Sequence, residues 1–219
     1  MLFADRVEAG RRLAVRLEHL KTTRPVVLAL PRGGVPVGYE IARRLAVPLN
    51  LVLVRKIGAP GREELAIGAI AEGDPPELVT DEDLAGWLAL PEDYLETAKQ
   101  AALREIERRR QSYLPGQAPV EIAGRTVIVV DDGIATGATM LAALRATRRR
   151  KPSRLVLAVP VAPAGTLERL RKEVDEAVCL EIPDDFYAVG QFYRAFPQLQ
   201  DEEVIALLNQ ARAFSSSPN

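Results

Sequence analysis

The chain has 219 residues, of which 47% are apolar and 27% are charged, and its 29 Lys and Arg nearly balance its 30 Asp and Glu to leave a net charge of −1. This is the composition of an ordinary globular protein, and its charge does not indicate a polyanionic partner. One cysteine, Cys179, excludes an internal disulfide and a multi-cysteine zinc site, and one histidine, His19, leaves little basis for His-dependent hydrolysis. We expect a single domain over residues 1–214, with a short disordered tail at 215–219.

Runs rich in Val, Leu and Ile alternate with helical patterns. The stretch 5–20 is predicted as a helix that covers the sheet, because Val7, Leu13, Leu17 and Leu20 lie on one helical face. The predicted strands, buried on both faces, are residues 26–30, 49–54, 126–130, 155–161 and 177–182. The predicted helices between them are residues 34–45, 138–149 and 166–174. This alternation predicts a three-layer α/β/α domain with a mainly parallel sheet.

Residues 55–117 interrupt this alternation and are predicted to form a loop-plus-helix insertion. The first part is punctuated by Gly and Pro up to about residue 80. A long helix follows and ends before Pro115 and Gly116. Its apolar face is formed by Leu95, Ala98, Ala102, Ile106 and Tyr113.

The strongest functional signal lies at residues 126–140, where a buried strand ends in two adjacent carboxylates, Asp131 and Asp132. Open α/β sheets bind ligands beyond the carboxyl ends of their strands. The N–H groups at the start of the following helix form an anion site, and the small or hydroxyl-bearing residues of the turn allow close approach or donate hydrogen bonds. These residues are Ala135, Thr136, Gly137, Ala138 and Thr139. The pattern predicts a sugar phosphate with vicinal hydroxyls as ligand; the alternative is a turn whose two aspartates face solvent and cap the helix.

Residues 127–140 resemble the phosphoribosyl pyrophosphate (PRPP) motif of type I phosphoribosyltransferases. The resemblance implies that Asp131 and Asp132 hold the ribose hydroxyls and that residues 135–139 bind the 5-phosphate. It implies a glycosyltransferase that moves the phosphoribosyl group of PRPP to a nitrogen acceptor, such as a nucleobase, and releases diphosphate. Mg²⁺ is the expected cofactor, held near the two aspartates mainly by PRPP oxygens and water, with no direct protein ligand.

Arg32, Gly33 and Gly34 follow the first strand, where the family has its pyrophosphate-binding loop. Arg32 would supply a charged fork, and the two glycines would expose backbone N–H groups to the diphosphate. The Val-Arg-Lys sequence that ends at Lys56 resembles adenine phosphoribosyltransferases, in which the cations face the diphosphate; the alternative is solvated charges at a strand end. Residues 61–71 occupy the place of the family's flexible catalytic loop and are expected to close over the site.

Residues 181–197 resemble the base-recognition hood of hypoxanthine-guanine enzymes. Phe186 or Tyr187 would stack on a flat heterocycle. The alternative is that these two residues, with Phe192, Tyr193 and Phe196, pack the C-terminal segment. The resemblance also has a departure: Ala135 replaces the Asp that hypoxanthine-guanine enzymes carry at this position, and the acceptor is left open.

The arginine clusters 108–110 and 148–150 are predicted to offset the dipoles at helix ends. They also keep open a second function, a non-catalytic sensor of PRPP or nucleotides that binds RNA. Cys179 is expected to pack as a small apolar residue, and His19 is assigned no role. A cytoplasmic homodimer in nucleotide metabolism, without membrane contact, completes these expectations.

Overall fold

The computed structural model describes residues 2–80, 88, 91, 93–117 and 120–215. Within them, helices cover both faces of a five-stranded parallel sheet, which confirms the predicted three-layer α/β/α fold. No helix in these ranges is both long and apolar enough to cross a membrane. Of the expected disordered tail, Ser215 is the last residue of a helix, and residues 216–219 lie outside the described residues.

The strands and helices follow in chain order. The strands are β1 (Val26–Ala29), β2 (Leu49–Leu51), β3 (Val54–Ala59), β4 (Arg62–Ala71), β5 (Glu77–Thr80), β6 (Thr126–Val130), β7 (Arg154–Val161) and β8 (Glu176–Glu181). The helices are α1 (Arg6–Arg16), α2 (Gly34–Leu45), α3 (Tyr94–Tyr113), α4 (Ala138–Arg149), α5 (Ala164–Arg171) and α6 (Asp201–Ser215). Two 3₁₀ helices span Glu18–Thr23 and Val189–Phe192.

The parallel sheet has the order β2-β1-β6-β7-β8. Alternate residues of its central strands enter two separate cores, because successive side chains of a strand point to opposite faces. Val27 and Ile128 pack with α1 and α2, whereas Val26 and Val127 pack with α4 and α5. The predicted burial on both faces holds for β1 and β6 but is wrong for β8, which is half-buried along its length because it lies at the sheet edge.

The helix predictions are largely confirmed. Helices α2 and α4 begin and end at the predicted residues. The predicted helix 5–20 is interrupted: α1 ends at Arg16, and the chain continues as the 3₁₀ helix, although Leu13, Leu17 and Leu20 do pack on the sheet as expected. Helix α5 begins and ends earlier than the predicted 166–174.

The first part of the insertion is a sheet, which corrects the prediction of a loop. Strands β3, β4 and β5 form an antiparallel three-stranded sheet within the described residues. Residues 61–71, expected to be the flexible catalytic loop, therefore lie mostly in β4, whose Ile67 and Ile70 are fully buried. Gly68 permits this pairing, since a Cβ there would lie 2.5 Å from the Val79 carbonyl oxygen. The prediction of an irregular loop is therefore wrong for this stretch, while its closure over the site stays a prediction.

The predicted strand 49–54 is divided between the two sheets. Val52 still donates to the Ala29 carbonyl of β1, but Leu53 donates instead to a carboxylate oxygen of Glu72. Leu51, Val52 and Leu53 are all buried. The apolar run in the sequence therefore continues across the break between β2 and β3.

Helix α3 confirms the long helix predicted for the insertion. Ala102 and Ile106 pack with β3, β4 and α6. The cluster 108–110 lies partly before the last turn of α3, so only Arg110 has the predicted position at the helix end. Arg108 and Arg109 pair with Glu105, and Arg110 pairs with Glu72.

Candidate active site

The two loops with the strongest sequence signals meet at the carboxyl edge of the parallel sheet. Strands β1 and β6 are neighbours, with Ala29 opposite Val130, so the chain segments that follow them leave the sheet side by side. The N–H of Leu30 donates to the Val130 carbonyl at 2.9 Å. This register places the Arg-Gly-Gly loop directly against the acidic pair, at the edge where open α/β sheets bind ligands.

Gly33 and Gly34 let these two loops touch. An added Cβ on Gly33 would lie 2.0 Å from Oδ2 of Asp132, and one on Gly34 would lie 2.7 Å from the Val130 carbonyl oxygen. The Gly34 N–H donates to the Leu30 carbonyl at 3.0 Å. Gly34 therefore does not expose its N–H as expected, because the turn that precedes α2 already uses it.

The two aspartates form a partly buried acidic pair. The N–H of Asp132 donates to Oδ1 of Asp131 at 2.8 Å. Burial, followed by the neighbouring charge of Asp132, raises the pKa of Asp131 well above its ordinary value. Burial also raises the pKa of Asp132, against the opposing effect of Arg6. Ionisation of both carboxyl groups is therefore unfavourable in the free protein. A ligand with hydroxyl donors or an associated cation would stabilise the ionised forms.

Arg6 is a site residue that the sequence reasoning missed. Its Nε lies 2.7 Å from Oδ2 of Asp132, and the two side chains are only 10% and 13% exposed. Tyr193 also contacts this aspartate, since its hydroxyl donates to the Asp132 carbonyl at 2.6 Å. No sequence signal distinguished Arg6 from the other charged residues of an amphipathic helix, because its partner is distant in the chain.

Helix α5 supports the predicted phosphate loop at residues 135–139. The Thr166 hydroxyl donates to the Ala135 carbonyl at 2.9 Å, and the Arg169 guanidinium donates to the Thr136 carbonyl. Gly137 has a φ of 83°, and a Cβ there would lie 2.8 Å from Cγ2 of Thr166. With its carbonyls held by α5, the loop continues into the start of α4, where no side chain caps the helix.

The start of α4 has the character of an anion site. The first N–H groups of a helix lack intrahelical acceptors, and the helix dipole favours negative charge there. Ala138 and Thr139 form this first turn and are half-buried, while Ala135 and Thr136 are exposed. The five predicted loop residues thus surround one helix N-terminus.

Arg32 lies beside the acidic pair and contacts α6. Its Nη1 is 3.6 Å from Oδ1 of Asp201. A cleft contains Arg32 and Gly33 together with Asp132 and Val189. Val189 belongs to the predicted hood and lies close to Gly133, where an added Cβ would be 2.5 Å from Cγ1 of Val189.

Lys56 lines a second cleft, of about 700 Å³. Pro31 and Thr139 line this cleft along with the basic residues Arg55 and Arg109. The structure thus brings Lys56 towards both predicted binding loops. Its neighbour Arg55 is 3.9 Å from Glu105, at the limit of an ion pair.

The aromatic residues of the hood separate into packed and exposed groups. Phe186 stacks on Phe192 with ring centroids 5.4 Å apart, so it follows the packing alternative. Phe196 is stacked on Tyr193. Tyr187 is 89% exposed, and Phe196 is 36% exposed and lines the cleft beside Asp132.

The remaining sequence candidates have structural partners away from the acidic pair. His19 contacts Glu176 at 3.0 Å. Cys179 packs against the core as expected, and burial raises the pKa of its thiol to about 11. Arg148 and Arg149 pair with carboxylates, and Arg150 donates to a backbone carbonyl.

Comparison with known sequences and structures gives a consistent result. The family model described as phosphoribosyl transferase domain matches residues 4–197. Proteins from Mycobacterium tuberculosis strains CDC 1551 and H37Rv, provisionally named phosphoribosyl transferases, are 43% identical over 210 residues, or 96% of this chain and 47% of each relative. The chain thus spans about half the length of these curated relatives. The crystal structure of the protein TT1426 from Thermus thermophilus has a TM-score of 0.80 and 44% identity, covering 96% of this chain and 99% of that chain.

Proposed function

The chain belongs to the phosphoribosyl transferase family, and we propose that it binds PRPP and transfers the phosphoribosyl group to a nitrogen acceptor with release of diphosphate. The observation that carries this proposal is the contact between two loops on neighbouring parallel strands. Gly33 of one loop lies against the Asp132 carboxylate of the other. A ligand bound there meets an acidic pair, a basic loop and a helix N-terminus at once.

Each part of the site matches one part of PRPP. The start of α4 and residues 135–139 accept the 5-phosphate, because uncapped helix N–H groups bind anions. Asp131 and Asp132 accept hydrogen bonds from the ribose hydroxyls. Arg32 and Lys56 line two clefts that each include residues of these loops, and they attract the diphosphate.

The chemistry is a substitution at the anomeric carbon. The nitrogen lone pair of the acceptor forms the new C–N bond as the C–O bond to diphosphate breaks, diphosphate leaves with the electron pair, and an N–H acceptor releases its proton to water. Arg32 and Lys56 stabilise the charge that develops on the leaving group, which is the kind of electrostatic effect that dominates many enzymes. The acceptor binds beside Val189, with Tyr187 available to stack on a flat ring.

The donor set of the site fits Mg²⁺. Two adjacent carboxylates provide the hard oxygen atoms that Mg²⁺ prefers. Their raised pKa values mean that a nearby cation would favour their ionised forms. Asp131 and Asp132 would hold the ion through water, while PRPP oxygens bind it directly. When bound, the ion neutralises part of the charge of the departing diphosphate.

The alternative of an RNA-binding sensor gains no support from the arginine clusters. The guanidinium groups of residues 108–110 and 148–150 have carboxylate or carbonyl partners within the protein. The homodimer, the cytoplasmic location, the role in nucleotide metabolism and the single-domain boundary at residue 214 stay predictions.

Isothermal titration with PRPP, with and without Mg²⁺, tests the proposal. We expect Mg²⁺-dependent binding that diphosphate competes for, and loss of binding in a folded double variant, Asp131→Asn with Asp132→Asn. Unchanged PRPP affinity in the double variant would contradict the assignment. Once binding is established, diphosphate release in the presence of candidate nitrogen acceptors identifies the second substrate.

A further inference from the structure

Arg6 joins the acidic pair to the C-terminal part of the hood. We call residues 192–199 the strap. The Arg6 side chain donates from Nε to Oδ2 of Asp132 at 2.7 Å and from Nη1 to the Pro197 carbonyl at 2.8 Å. Its guanidinium carbon also lies 3.8 Å from the centroid of the Phe196 ring. One side chain thus contacts a carboxylate of the site and two residues of the strap.

A second contact joins the strap to the acidic pair. Tyr193 donates its hydroxyl to the Asp132 carbonyl. The N-terminal residues hold the strap from the other side, since Phe3 donates to the Phe192 carbonyl and Arg194 donates to the Phe3 carbonyl, each at 2.8 Å. Ala195 also donates to the Ala4 carbonyl at 2.9 Å, so backbone bonds anchor the strap from residue 192 to residue 195, and Arg6 holds the part that follows.

We propose that Arg6 is a positioning residue that holds the strap against Asp132, fixing the orientation of this carboxylate and one wall of the adjoining cleft. The cleft next to Arg6 is lined by Arg32, Asp132, Val189 and Phe196, so a shift of the strap changes the space beside the acidic pair. Oδ2 of Asp132 is occupied by Arg6, which leaves Oδ1 to accept from a ribose hydroxyl. This last step rests on the proposed function, whereas the attachment of the strap does not.

Burial strengthens the attraction between the Arg6 guanidinium and the Asp132 carboxylate. The Arg6 and Asp132 side chains are 10% and 13% exposed, so water screens their attraction poorly. Phe196 contacts Arg6 and stacks on Tyr193, with 4.9 Å between the two ring centroids, and stays 36% exposed. A guanidinium that stacks on an aromatic ring while donating in its own plane uses a geometry that a lysine ammonium does not reproduce.

Two measurements on the full chain test the proposal. Hydrogen exchange of the ligand-free protein reports on the strap, and isothermal titration with Mg²⁺ and PRPP reports on the site. In Arg6→Gln we expect exchange of the strap amides to rise about tenfold or more, with the parallel sheet unaffected. We expect PRPP affinity to fall about ten- to hundredfold, since small displacements of a binding group have effects of this size.

Matched variants separate positioning from general stability. Arg6→Lys keeps a cation near Asp132 and should recover most of the PRPP affinity, while the strap still exchanges faster than in the wild type. Arg11→Gln on the same helix removes an ion pair of a mostly exposed guanidinium with Glu40 and should change neither readout. If Arg6→Gln does not fold, Arg6→Lys and Phe196→Leu still test the attachment by strap exchange.

Each outcome decides one part of the proposal. Wild-type strap exchange in Arg6→Gln, or an equal rise over the whole chain, would overturn the attachment of the strap. Wild-type PRPP affinity in a folded Arg6→Gln would overturn the positioning of Asp132. Failure of the wild-type protein to bind PRPP would instead overturn the proposed function, and strap exchange would still decide whether Arg6 attaches the strap.

Discussion

The hydroxyl of Tyr113 donates a 2.6 Å hydrogen bond to Oδ1 of Asp201, which joins the last residue of the insertion helix α3 to the first residue of α6. The same carboxylate oxygen lies 3.6 Å from Nη1 of Arg32. Two helices that are distant in sequence thus converge on a residue of the predicted diphosphate loop. The ring of Tyr113 is buried, and burial followed by the bond to Asp201 raises its pKa to about 12.

We expect Tyr113→Phe to lower the free energy of unfolding by about 1 kcal/mol, because a hydrogen bond to a carboxylate contributes about 1.5–3 kcal/mol when buried and less when the carboxylate is partly exposed. Urea denaturation measures this change. Tyr39→Phe serves as the control, since the Tyr39 hydroxyl makes an exposed 3.2 Å hydrogen bond to Gln210. Equal effects of the two substitutions would show that the bond to Asp201 does not connect α3 and α6 energetically.

Asp131→Asn is expected to stabilise the folded protein at neutral pH while weakening PRPP binding. Burial, then the charge of Asp132, raises the pKa of Asp131 in the folded state, so the folded protein binds more protons than the unfolded chain above about pH 4. Stability contributed by the protonated group is therefore lost as pH rises through the raised pKa. The asparagine removes this loss and still offers a carbonyl oxygen to the Asp132 N–H.

Urea midpoints at about pH 4 and about pH 7 measure this effect, and the stability gain of Asp131→Asn should be larger at the higher pH. Asp132→Asn is the matched comparison: burial raises the pKa of this carboxyl too, but its removal leaves the buried Arg6 guanidinium without its charged partner, so the variant should gain less stability than Asp131→Asn. A stability gain for Asp132→Asn equal to that of Asp131→Asn would contradict the assigned role of Arg6.

Gly33→Ala should displace the Arg-Gly-Gly loop from the acidic pair. The new Cβ would lie 2.0 Å from Oδ2 of Asp132, so the loops must separate or the carboxylate must rotate. We expect a loss of about 1–3 kcal/mol in stability from the overpacking, together with loss of PRPP binding. Calorimetry and urea denaturation measure the two effects.

The control for this substitution is Gly165→Ala in α5, where an added Cβ meets no atom within 4 Å. It should raise stability by up to about 1 kcal/mol, because alanine favours helix over glycine. PRPP binding by Gly33→Ala at wild-type affinity would show that the close contact of the two loops is not needed for the site.

Thr166→Val tests the support of the phosphate loop by α5. The substitution keeps the shape of the side chain but removes the 2.9 Å hydrogen bond to the Ala135 carbonyl. We expect PRPP affinity to fall about fivefold, the equivalent of about 1 kcal/mol for one neutral hydrogen bond. Glu168→Gln on the exposed side of the same helix should leave the affinity unchanged. A similar decrease in both variants would indicate a general effect of altering α5.

Cys179 offers a local probe, because it is the single cysteine of the chain. Burial raises the pKa of its thiol to about 11, so very little thiolate is present at about pH 8. Iodoacetamide should therefore react on the order of a hundredfold more slowly with the folded protein than with the urea-unfolded chain, whose thiol pKa is about 8.5. Equal rates would show that β8 exposes this residue.

Local sequence patterns were sufficient for the central architecture. The apolar run of β6, the helical periodicity of α2 and α4, and the small residues between Asp132 and Thr139 each act within one segment of chain. Their alternation predicts parallel strands, and parallel strands have their carboxyl ends at one edge. That rule placed the acidic pair at this edge; the Arg-Gly-Gly loop was assigned through the family resemblance, and the pairing of β1 with β6 that brings the two together was found only in the structure.

Contacts between distant segments determined the rest. Strand β4 forms because β3 and β5 pair with it, and the sequence 62–71 carries no strong alternation that would reveal these partners. Arg6 becomes a site residue because α1 begins beside Asp132, 126 positions further along the chain. Phe186 and Tyr187 are adjacent in sequence, yet Phe186 packs on Phe192 while Tyr187 is exposed. A sequence pattern specifies which face of an element is apolar, but the partner that covers this face is selected only when the whole chain packs.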